Sequence, residues 1–307
     1  MLYLPAKLRR SFQSNGSILL SLWLGFAGLV MNTMAYATEQ PLQVLSSIKP
    51  LALMQTDLGL SWQEPLLPDG ITPHDYSLRA SHIKRLLQAD LVIWMGPELE
   101  PYLAKVMSRK PAHQQLIIMP PQGQELELAN DGDEHHHHHH HDLHPWTSPE
   151  YVRLAMASIV ARVSAIETEL ASGLAQRWRQ LEPQLVAQEA RWQDYFASHK
   201  VGYITYHDAL QPYQERMAID SLGSIADAAG SQGGAKNMQA LTKLIMANRV
   251  GCILVDAEAN RALVKKLSNK RVAEVEIDLL GWTIEPGEKS LLRYFESIGQ
   301  AIQQCEL

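Results

Sequence analysis

The chain has 307 residues, 46% of them hydrophobic and 20% charged, which is enough to bury one or two cores and excludes disordered, collagen-like and small disulfide-scaffold proteins. Its 27 basic and 33 acidic residues give a net charge of −6, so the basic excess typical of nucleic-acid binders is absent. Histidine is unusually frequent, with 13 residues. Because imidazole binds divalent metals, this composition suggests a metal-binding protein.

The first 37 residues have the three parts of a secretory signal peptide. Three basic residues occur in the first ten, an apolar run follows from 18 to 31, and Ala35-Tyr36-Ala37 resembles a cleavage site. A membrane anchor is the alternative, but the run of about 14 residues is shorter than the roughly 20 that span a bilayer. We predict cleavage after Ala37. The cut removes three of the 27 basic residues and no acidic residue, so the mature chain carries a charge of −9.

Strand and helix patterns alternate in the first part of the mature chain. Short β-branched or continuous apolar runs predict strands, and apolar residues at helical spacing predict helices. In chain order these are a strand at 43–48, helices at 51–60 and 81–87, a strand at 89–95, a helix at 99–107 and a strand at 116–119. This alternation predicts an N-terminal α/β lobe over 38–172, with a mainly parallel sheet.

Two helices follow before a second α/β region. Ser148 is a predicted N-cap with Pro149 at the first helical position, and this helix runs to about Leu170. Ser172-Gly173 is predicted to end it, and a long charged helix at 173–199 then links the lobes, with Pro183 as an expected kink. The C-terminal α/β lobe, 200–307, has predicted strands at 201–205, 252–255 and 272–277 and helices at 240–247, 264–267 and 291–304.

An acidic, histidine-rich tract occupies 131–142. Its low complexity cannot form a packed core, so we expect a mobile loop. Clustered imidazoles bind zinc, nickel or copper, and the alternative is a solvated loop without a role. The predicted auxiliary metal ligands are His135, His136, His137, His138, His139, His140 and His141.

Three single histidines lie in better-defined surroundings. His74 lies in a turn-rich loop, His144 just precedes a predicted helix N-cap, and His207 lies at the C-terminal end of a predicted strand, where open α/β sheets place ligand-binding residues. Taken singly, a histidine is more often structural than a metal ligand. A zinc site gathers about four ligands from wherever the fold converges, so spacing alone leaves the site open. Three other histidines are interpreted as surface residues: His82, His113 and His199.

The mature chain has two cysteines, Cys252 at the start of an apolar run and Cys305 near the C-terminus. In an exported protein, an isolated pair is most simply one disulfide bond. The alternative is a thiolate metal site, which usually needs closely spaced cysteine pairs, and the sequence has none.

Several motifs, in order, resemble the ZnuA family, the periplasmic zinc-binding components of bacterial zinc ABC importers. They are Ser-Ser-Ile-Lys-Pro at 46–50, Leu-Pro-Asp-Gly and Pro-His-Asp-Tyr-Ser-Leu-Arg within 67–79, the segment 89–98, His-Pro-Trp-Thr-Ser-Pro-Glu at 144–150 and Tyr-His-Asp-Ala at 206–209. The cysteine pair fits the same order, and the similarity covers essentially the whole mature chain.

The resemblance implies that His74, His144 and His207 ligate Zn²⁺ in a cleft between two α/β lobes, which one long rigid helix joins. It further implies a monomeric periplasmic protein that is not an enzyme and that delivers zinc to a cognate ABC permease. Some relatives carry Glu before the first ligand, where this chain has Pro73. The fourth zinc ligand is then water or a carboxylate, and Asp278 matches a position where relatives place one. Asp278 is otherwise a turn residue at a strand end.

Two other function classes stay open. A zinc hydrolase with a three-histidine site would need a general base, for which Asp75 or Asp208 is available, but no HExxH-like motif is present. A protein of the same fold could instead bind manganese or another metal, or act as a metal-binding adhesin. Three imidazoles favour zinc over manganese, which prefers carboxylate oxygens.

Overall fold

The computed structural model describes residues 41–73, 76–118, 144–228 and 230–307. The predicted signal peptide and the histidine-rich tract lie outside these ranges. Within them the chain forms two separate, entirely parallel sheets with flanking helices, which confirms the α/β class. Within the same ranges, no helix is both long and apolar enough to cross a membrane.

The first sheet has three strands in the order β1-β2-β3. Leu45 pairs with Val92, and Ile93 pairs with Leu116. Buried apolar runs form the first two strands, and a crossover helix precedes each return to the sheet. The elements in chain order are β1 (Val44–Ser46), α1 (Lys49–Asp57), α2 (Ala80–Gln88), β2 (Leu91–Trp94), α3 (Pro101–Met107) and β3 (Gln115–Ile117).

The second sheet has four strands in the order β5-β4-β6-β7. Two long helices precede it. The elements in chain order are α4 (Pro149–Ile166), α5 (Ala171–Ser198), β4 (Tyr203–His207), α6 (Gln211–Met217), β5 (Ser224–Ala226), α7 (Ala235–Met246), β6 (Cys252–Val255), α8 (Arg261–Ser268), β7 (Ala273–Glu276) and α9 (Ser290–Gln303).

The helices form three layers around the two sheets. Leu86 of α2 and Leu103 of α3 cover the outer face of the first sheet, and residues of α7 and α8 cover the outer face of the second. A large apolar cluster fills the space between, with residues from α1, α4, α5 and α9 and from both sheets. The two lobes therefore share one central helical layer.

Helix α5 carries a buried acid that fixes its neighbours. Glu189 is ion-paired with Arg153 of α4, and its Oε1 accepts a hydrogen bond from Arg216 Nε of α6 at 2.8 Å. Arg216 also reaches Glu150 of α4 at 2.8 Å. Since a buried carboxylate is tolerated only with such partners, the network explains how a charged helix can lie at the centre of the molecule.

The structure corrects three helix and strand boundaries. Ser172-Gly173 does not end α4; the break lies in a 3₁₀ turn at Thr168–Leu170, and α5 begins at Ala171. The strand predicted at 201–205 is β4 at Tyr203–His207, which confirms that His207 lies at the C-terminal end of a strand. The helix predicted from 51 begins at Lys49, because Pro50 suits the first helical turn.

The sequence also missed two elements and misplaced one histidine. Helix α6 and strand β5 are short, with seven and three residues, and their patterns are too brief to separate from loop. His82, expected on the surface, is only 8% exposed, because Tyr76 covers it and the Tyr76 hydroxyl lies 2.7 Å from its Nδ1.

The cysteine prediction is confirmed. Cys252 and Cys305 form a disulfide bond, with their Cα atoms 4.8 Å apart and a sequence separation of 53. The bond joins the first residue of β6 to the segment just after α9. Next to it, Gly202 N donates a hydrogen bond to Cys305 O at 3.0 Å, so the C-terminus is fixed to the amino end of the second sheet.

Polar contacts also connect the two lobes directly. The Asp57 carboxylate, at the end of α1, accepts hydrogen bonds from the backbone N–H groups of Ser290 and Leu291 at 2.9 Å and so caps α9. Lys49 Nζ donates to Trp282 O at 2.7 Å. Burial of Asp57 raises its pKa above the ordinary value, although these hydrogen bonds act in the opposite direction.

Candidate metal site

The carboxyl ends of the four parallel strands bring polar side chains to one edge of the second sheet. His207 ends β4, Asp256 directly follows β6, and Asp278 lies two residues after β7. This is the edge where open α/β sheets bind ligands. A cavity of about 430 Å³ opens there, and these three side chains line it together with His144, Trp146, Thr72 and Pro73. The cavity therefore has walls from both lobes.

His207 is nearly fully buried, with 4% of its surface exposed. Its Nε2 lies 3.2 Å from Ala228 O, so this nitrogen donates to the carbonyl. Its Nδ1 lies 3.7 Å from Oε2 of Glu258. A second polar partner of this kind fixes the ring orientation and the tautomer of a metal-binding histidine.

His144 lies against His207, and its position is set by a short turn. Only 2% of its surface is exposed, and the two rings meet edge to face with centroids 4.8 Å apart. The His144 carbonyl accepts hydrogen bonds from Thr147 N at 3.0 Å and Thr147 Oγ1 at 2.9 Å. Ser148 then caps α4 as predicted, through Tyr151 N. The N-cap thus places His144 at the cavity.

Trp146 connects this turn to the opposite wall of the cavity. Its ring packs edge-on against His144, with centroids 5.2 Å apart, and its Nε1 donates a hydrogen bond to Leu279 O at 2.8 Å. The first ligand candidate, His74, lies outside the described residues together with Asp75, but Thr72 and Pro73, its neighbours, line the cavity. The chain leading to His74 therefore reaches the same cavity as His144 and His207.

Backbone pairing explains how the chain before His74 arrives there. Leu66 N and Leu67 N donate to Ser46 O and Ser47 O at 2.8 and 2.9 Å, which places this segment beside the carboxyl end of β1. The loop that follows runs to Pro73. The N-terminal lobe thus contributes a loop, whereas the C-terminal lobe contributes strand ends.

Both carboxylate oxygens of Asp278 accept hydrogen bonds within its own turn. Its Oδ1 accepts a hydrogen bond from Trp282 N at 2.9 Å, and its Oδ2 accepts from both N and Oγ1 of Thr283 at 2.7 Å. Asp278 as a zinc ligand therefore stays a prediction.

Asp256 is buried, which raises its pKa above the ordinary value, while the neighbouring His207 acts in the opposite direction.

Sequence reasoning missed Glu258, which lines the cavity and approaches His207 more closely than any other carboxylate with a measured contact. Its signal was available, since it lies two residues after Asp256 at the carboxyl end of a predicted strand. In the described ranges, no three side chains from His, Cys, Asp and Glu are grouped closely enough to hold a metal ion. What the structure brings together is the pair His144 and His207.

A family model described as "Zinc-uptake complex component A periplasmic" matches residues 44–305. Two relatives are each named "High-affinity zinc uptake system protein ZnuA". The one from Haemophilus ducreyi is 28% identical over 301 residues, covering 90% of this chain and 97% of the relative. The one from Yersinia pestis is 26% identical over 287 residues, covering 85% and 90%. The match thus extends across both lobes.

Among solved structures, the periplasmic zinc-binding protein TroA from Treponema pallidum has the same fold. It superposes with a TM-score of 0.68 at 17% identity, covering 86% of this chain and 99% of TroA. In such structures a long helix joins two lobes, as α5 does here, which confirms the predicted architecture.

Proposed function

The chain belongs to the family of periplasmic zinc-uptake component A proteins, ZnuA, and on this premise we propose that it captures Zn²⁺ and delivers it to an ABC-type importer. The observation that carries this proposal is the contact between the buried rings of His144 and His207 in a cavity between the lobes. Imidazole nitrogen is a preferred zinc ligand. Zinc is the cargo, so the protein releases the ion unchanged.

We place the third histidine, His74, in the same site. Its neighbours Thr72 and Pro73 line the cavity, and a zinc ion bound by three imidazoles keeps one position for water or a carboxylate. The relatives are named as zinc uptake proteins, which favours transport over the hydrolase alternative. The partner that receives the ion is then the permease of the importer, in the membrane that borders the periplasm.

The proposal predicts that each ligand is individually necessary. His74→Ala, His144→Ala and His207→Ala in the mature chain each weaken tight zinc binding by about 100-fold or more, because removing one of three imidazoles leaves an incomplete coordination shell. Affinity is measured by competition with a chelator tight enough to strip weaker sites, including those of the histidine-rich tract. His113→Ala, an exposed histidine, is the matched control and binds zinc as the parent does.

Protons supply an independent readout of the same site. Imidazoles bind zinc only when neutral, so affinity falls as pH drops from about 8 to 5, the range in which free histidine titrates, and loading releases protons into weakly buffered solution. Tight binding in the triple variant, or an affinity independent of pH across this range, contradicts the assignment of the three histidines.

A further inference from the structure

We propose that the carboxylate of Glu258 binds the captured zinc ion together with His207, completing the site with an oxygen ligand. This inference rests on the proposed function, since it names a ligand for the same ion. Glu258 lies in the loop between β6 and α8, and its side chain is 21% exposed at the wall of the cavity. It reaches the ion from the second lobe, on the side of the strand ends.

The orientation of the His207 ring supports this arrangement. Its Nε2 donates to Ala228 O at 3.2 Å, so in the neutral ring Nδ1 carries the lone pair that can bind a metal. This Nδ1 faces Oε2 of Glu258 across 3.7 Å. Two ligand atoms on one tetrahedral zinc ion, each about 2.0–2.1 Å from it, are about 3.3–3.4 Å apart. The spacing is thus close to that of two ligands of a shared ion.

The main chain of Glu258 is held in place by the turn that it forms with Asp256. Asp256 Oδ1 accepts a hydrogen bond from Glu258 N at 2.8 Å and so fixes the loop. In the described part of the chain, the measured contact of the Glu258 carboxylate is with His207. Glu258, His144 and His207 all line the same cavity, so the carboxylate lies on a wall that both imidazoles share.

Asp278 is less suited to the role in this structure. Its two oxygens accept three hydrogen bonds from Trp282 and Thr283, and zinc ligation would displace at least one of them. Breaking this turn would take the Asp278 acceptor from the backbone N–H groups of Trp282 or Thr283. Glu258 has no such cost, so the geometry favours it over Asp278 as the carboxylate ligand.

The test compares Glu258→Gln with two variants that carry the same change of charge. Glu276→Gln removes another carboxylate from the cavity wall, one that is paired with Arg261, and Asp278→Asn removes the rival ligand. Zinc affinity is measured by chelator competition on the full mature chain. Cobalt(II), whose visible absorption reports ligand type and geometry, is bound in place of zinc as a second readout.

We expect Glu258→Gln to weaken zinc binding about 10–100-fold and to change the cobalt spectrum. Glu276→Gln stays within about threefold of the parent, and Asp278→Asn loses less affinity than Glu258→Gln. Equal losses in Glu258→Gln and Glu276→Gln would mean that only the charge of the cavity matters, and would overturn the proposal. So would a larger loss in Asp278→Asn, or parent-like binding by Glu258→Gln.

A further pair of variants separates this proposal from the one on which it rests. Glu258→Asp keeps the carboxylate but shortens its reach, so it recovers part of the lost affinity if the group is a ligand. If His207→Ala loses tight binding while Glu258→Gln does not, the three-histidine site stands and the Glu258 ligand is wrong. If His207→Ala itself keeps tight binding, the proposed function has failed at this site.

Discussion

The two lobes differ in where they are restrained relative to the metal site. In the C-terminal lobe, the disulfide bond lies at Cys252, the amino end of β6, while Asp256 and the cavity lie at its carboxyl end. The covalent restraint and the candidate ligands therefore occupy opposite ends of the same strands. His207 likewise lies at the carboxyl end of its strand, β4, whereas the disulfide bond lies at the amino end of the same sheet.

In the N-terminal lobe, the restraint lies at the same edge as the ligand loop. Glu100, fully buried after the carboxyl end of β2, accepts hydrogen bonds from Met95 N at 2.7 Å and from the Tyr102 hydroxyl at 2.9 Å. The Tyr102 ring meets Tyr76 edge-on, with centroids 5.5 Å apart, and Tyr76 lies two residues after His74. A buried acid thus supports the chain next to a candidate ligand.

The difference separates two ways of positioning a ligand. A ligand at a strand end is held by the backbone of the sheet, so the contacts that stabilise the lobe can lie elsewhere in it. On a loop, the groups that hold the ligand also contribute to the stability of the lobe, so changes there affect both properties.

The largest effect is expected for the disulfide bond. Removing the disulfide bond, which closes a loop with a sequence separation of 53, lowers the free energy of unfolding by about 4 kcal/mol on the chain-entropy model. The measurement is denaturant unfolding of the double variant Cys252→Ala/Cys305→Ala, with the chemically reduced parent as a control that leaves no cavity. Zinc affinity of the folded double variant stays within about twofold of the parent, since distant sites act independently.

If the double variant loses zinc affinity under conditions where it is folded, the two ends of the strands in the C-terminal lobe do not act independently. It would mean that the amino end of β6 also determines the geometry at Asp256 and His207.

An intermediate effect is expected for Glu100, and it depends on pH. Burial raises the pKa of Glu100 from 4.5 to about 7. The folded state therefore holds a proton that the unfolded state releases, so this group favours folding at low pH and loses that contribution as pH rises from about 4.5 to 7. When the pH falls from 8 to 5, the free energy of unfolding of the parent is expected to rise by about 2–3 kcal/mol more than that of Glu100→Gln.

The matched control is Glu98→Gln, which changes the same charge at a half-buried position two residues away. The difference between parent and Glu98→Gln stays nearly constant over this pH range. If the Glu100→Gln difference is equally flat, Glu100 is not a buried titrating group, and the N-terminal lobe is not restrained as described.

Much of this molecule could be predicted from its sequence, for reasons that particular residues make plain. Continuous buried runs such as Cys252–Val255 and the Ser148-Pro149 start of α4 are strong local signals, and both were predicted correctly. The three-residue strand β5 and the seven-residue helix α6 were missed, because their stability comes from neighbouring elements and not from local pattern.

The site was predictable in part. His144 and His207 were identified as ligand candidates from their places beside an N-cap and at a strand end, and the structure brings their rings into contact. Glu258 was not identified, although its place just after a predicted strand was a usable signal, because its approach to His207 depends on the pairing of β6 with β4. Contacts of this kind join separate strands of the sheet, and no local pattern encodes them.

The smallest effect is expected for the movement of the lobes. One long helix, α5, joins them, and Glu189 ties its C-terminal half to Arg153 and Arg216. Pro183 lacks the N–H that would continue the helical hydrogen bonds, which makes it the expected point of bending. However, Leu181 and Leu185 on either side of it are buried in the central core.

Direct contacts between the lobes oppose bending as well. Asp57 of α1 caps α9, Lys49 donates to Trp282 O, and Trp146 donates to Leu279 O. A lobe rotation would break several of these buried hydrogen bonds at once, at about 1 kcal/mol or more for each. Zinc binding, which acts on the cavity edge alone, is therefore expected to order the cavity walls and to leave the lobes nearly where they are.

Spin labels on the two lobes measure this directly. Labels at Lys84→Cys and Lys265→Cys, both exposed, report the distance between lobes, and labels at Lys84→Cys and Arg109→Cys report a distance within one lobe. We expect zinc to change the inter-lobe distance by less than about 2 Å, the size of shift that separates small adjustments from domain rearrangements. Asp57→Asn, which weakens the cap on α9, should widen the inter-lobe distribution without zinc and leave the distance within the lobe unchanged. A shift well beyond 2 Å in the parent would show that the single helix and the contacts around it do not hold the lobes, and that Pro183 acts as a hinge.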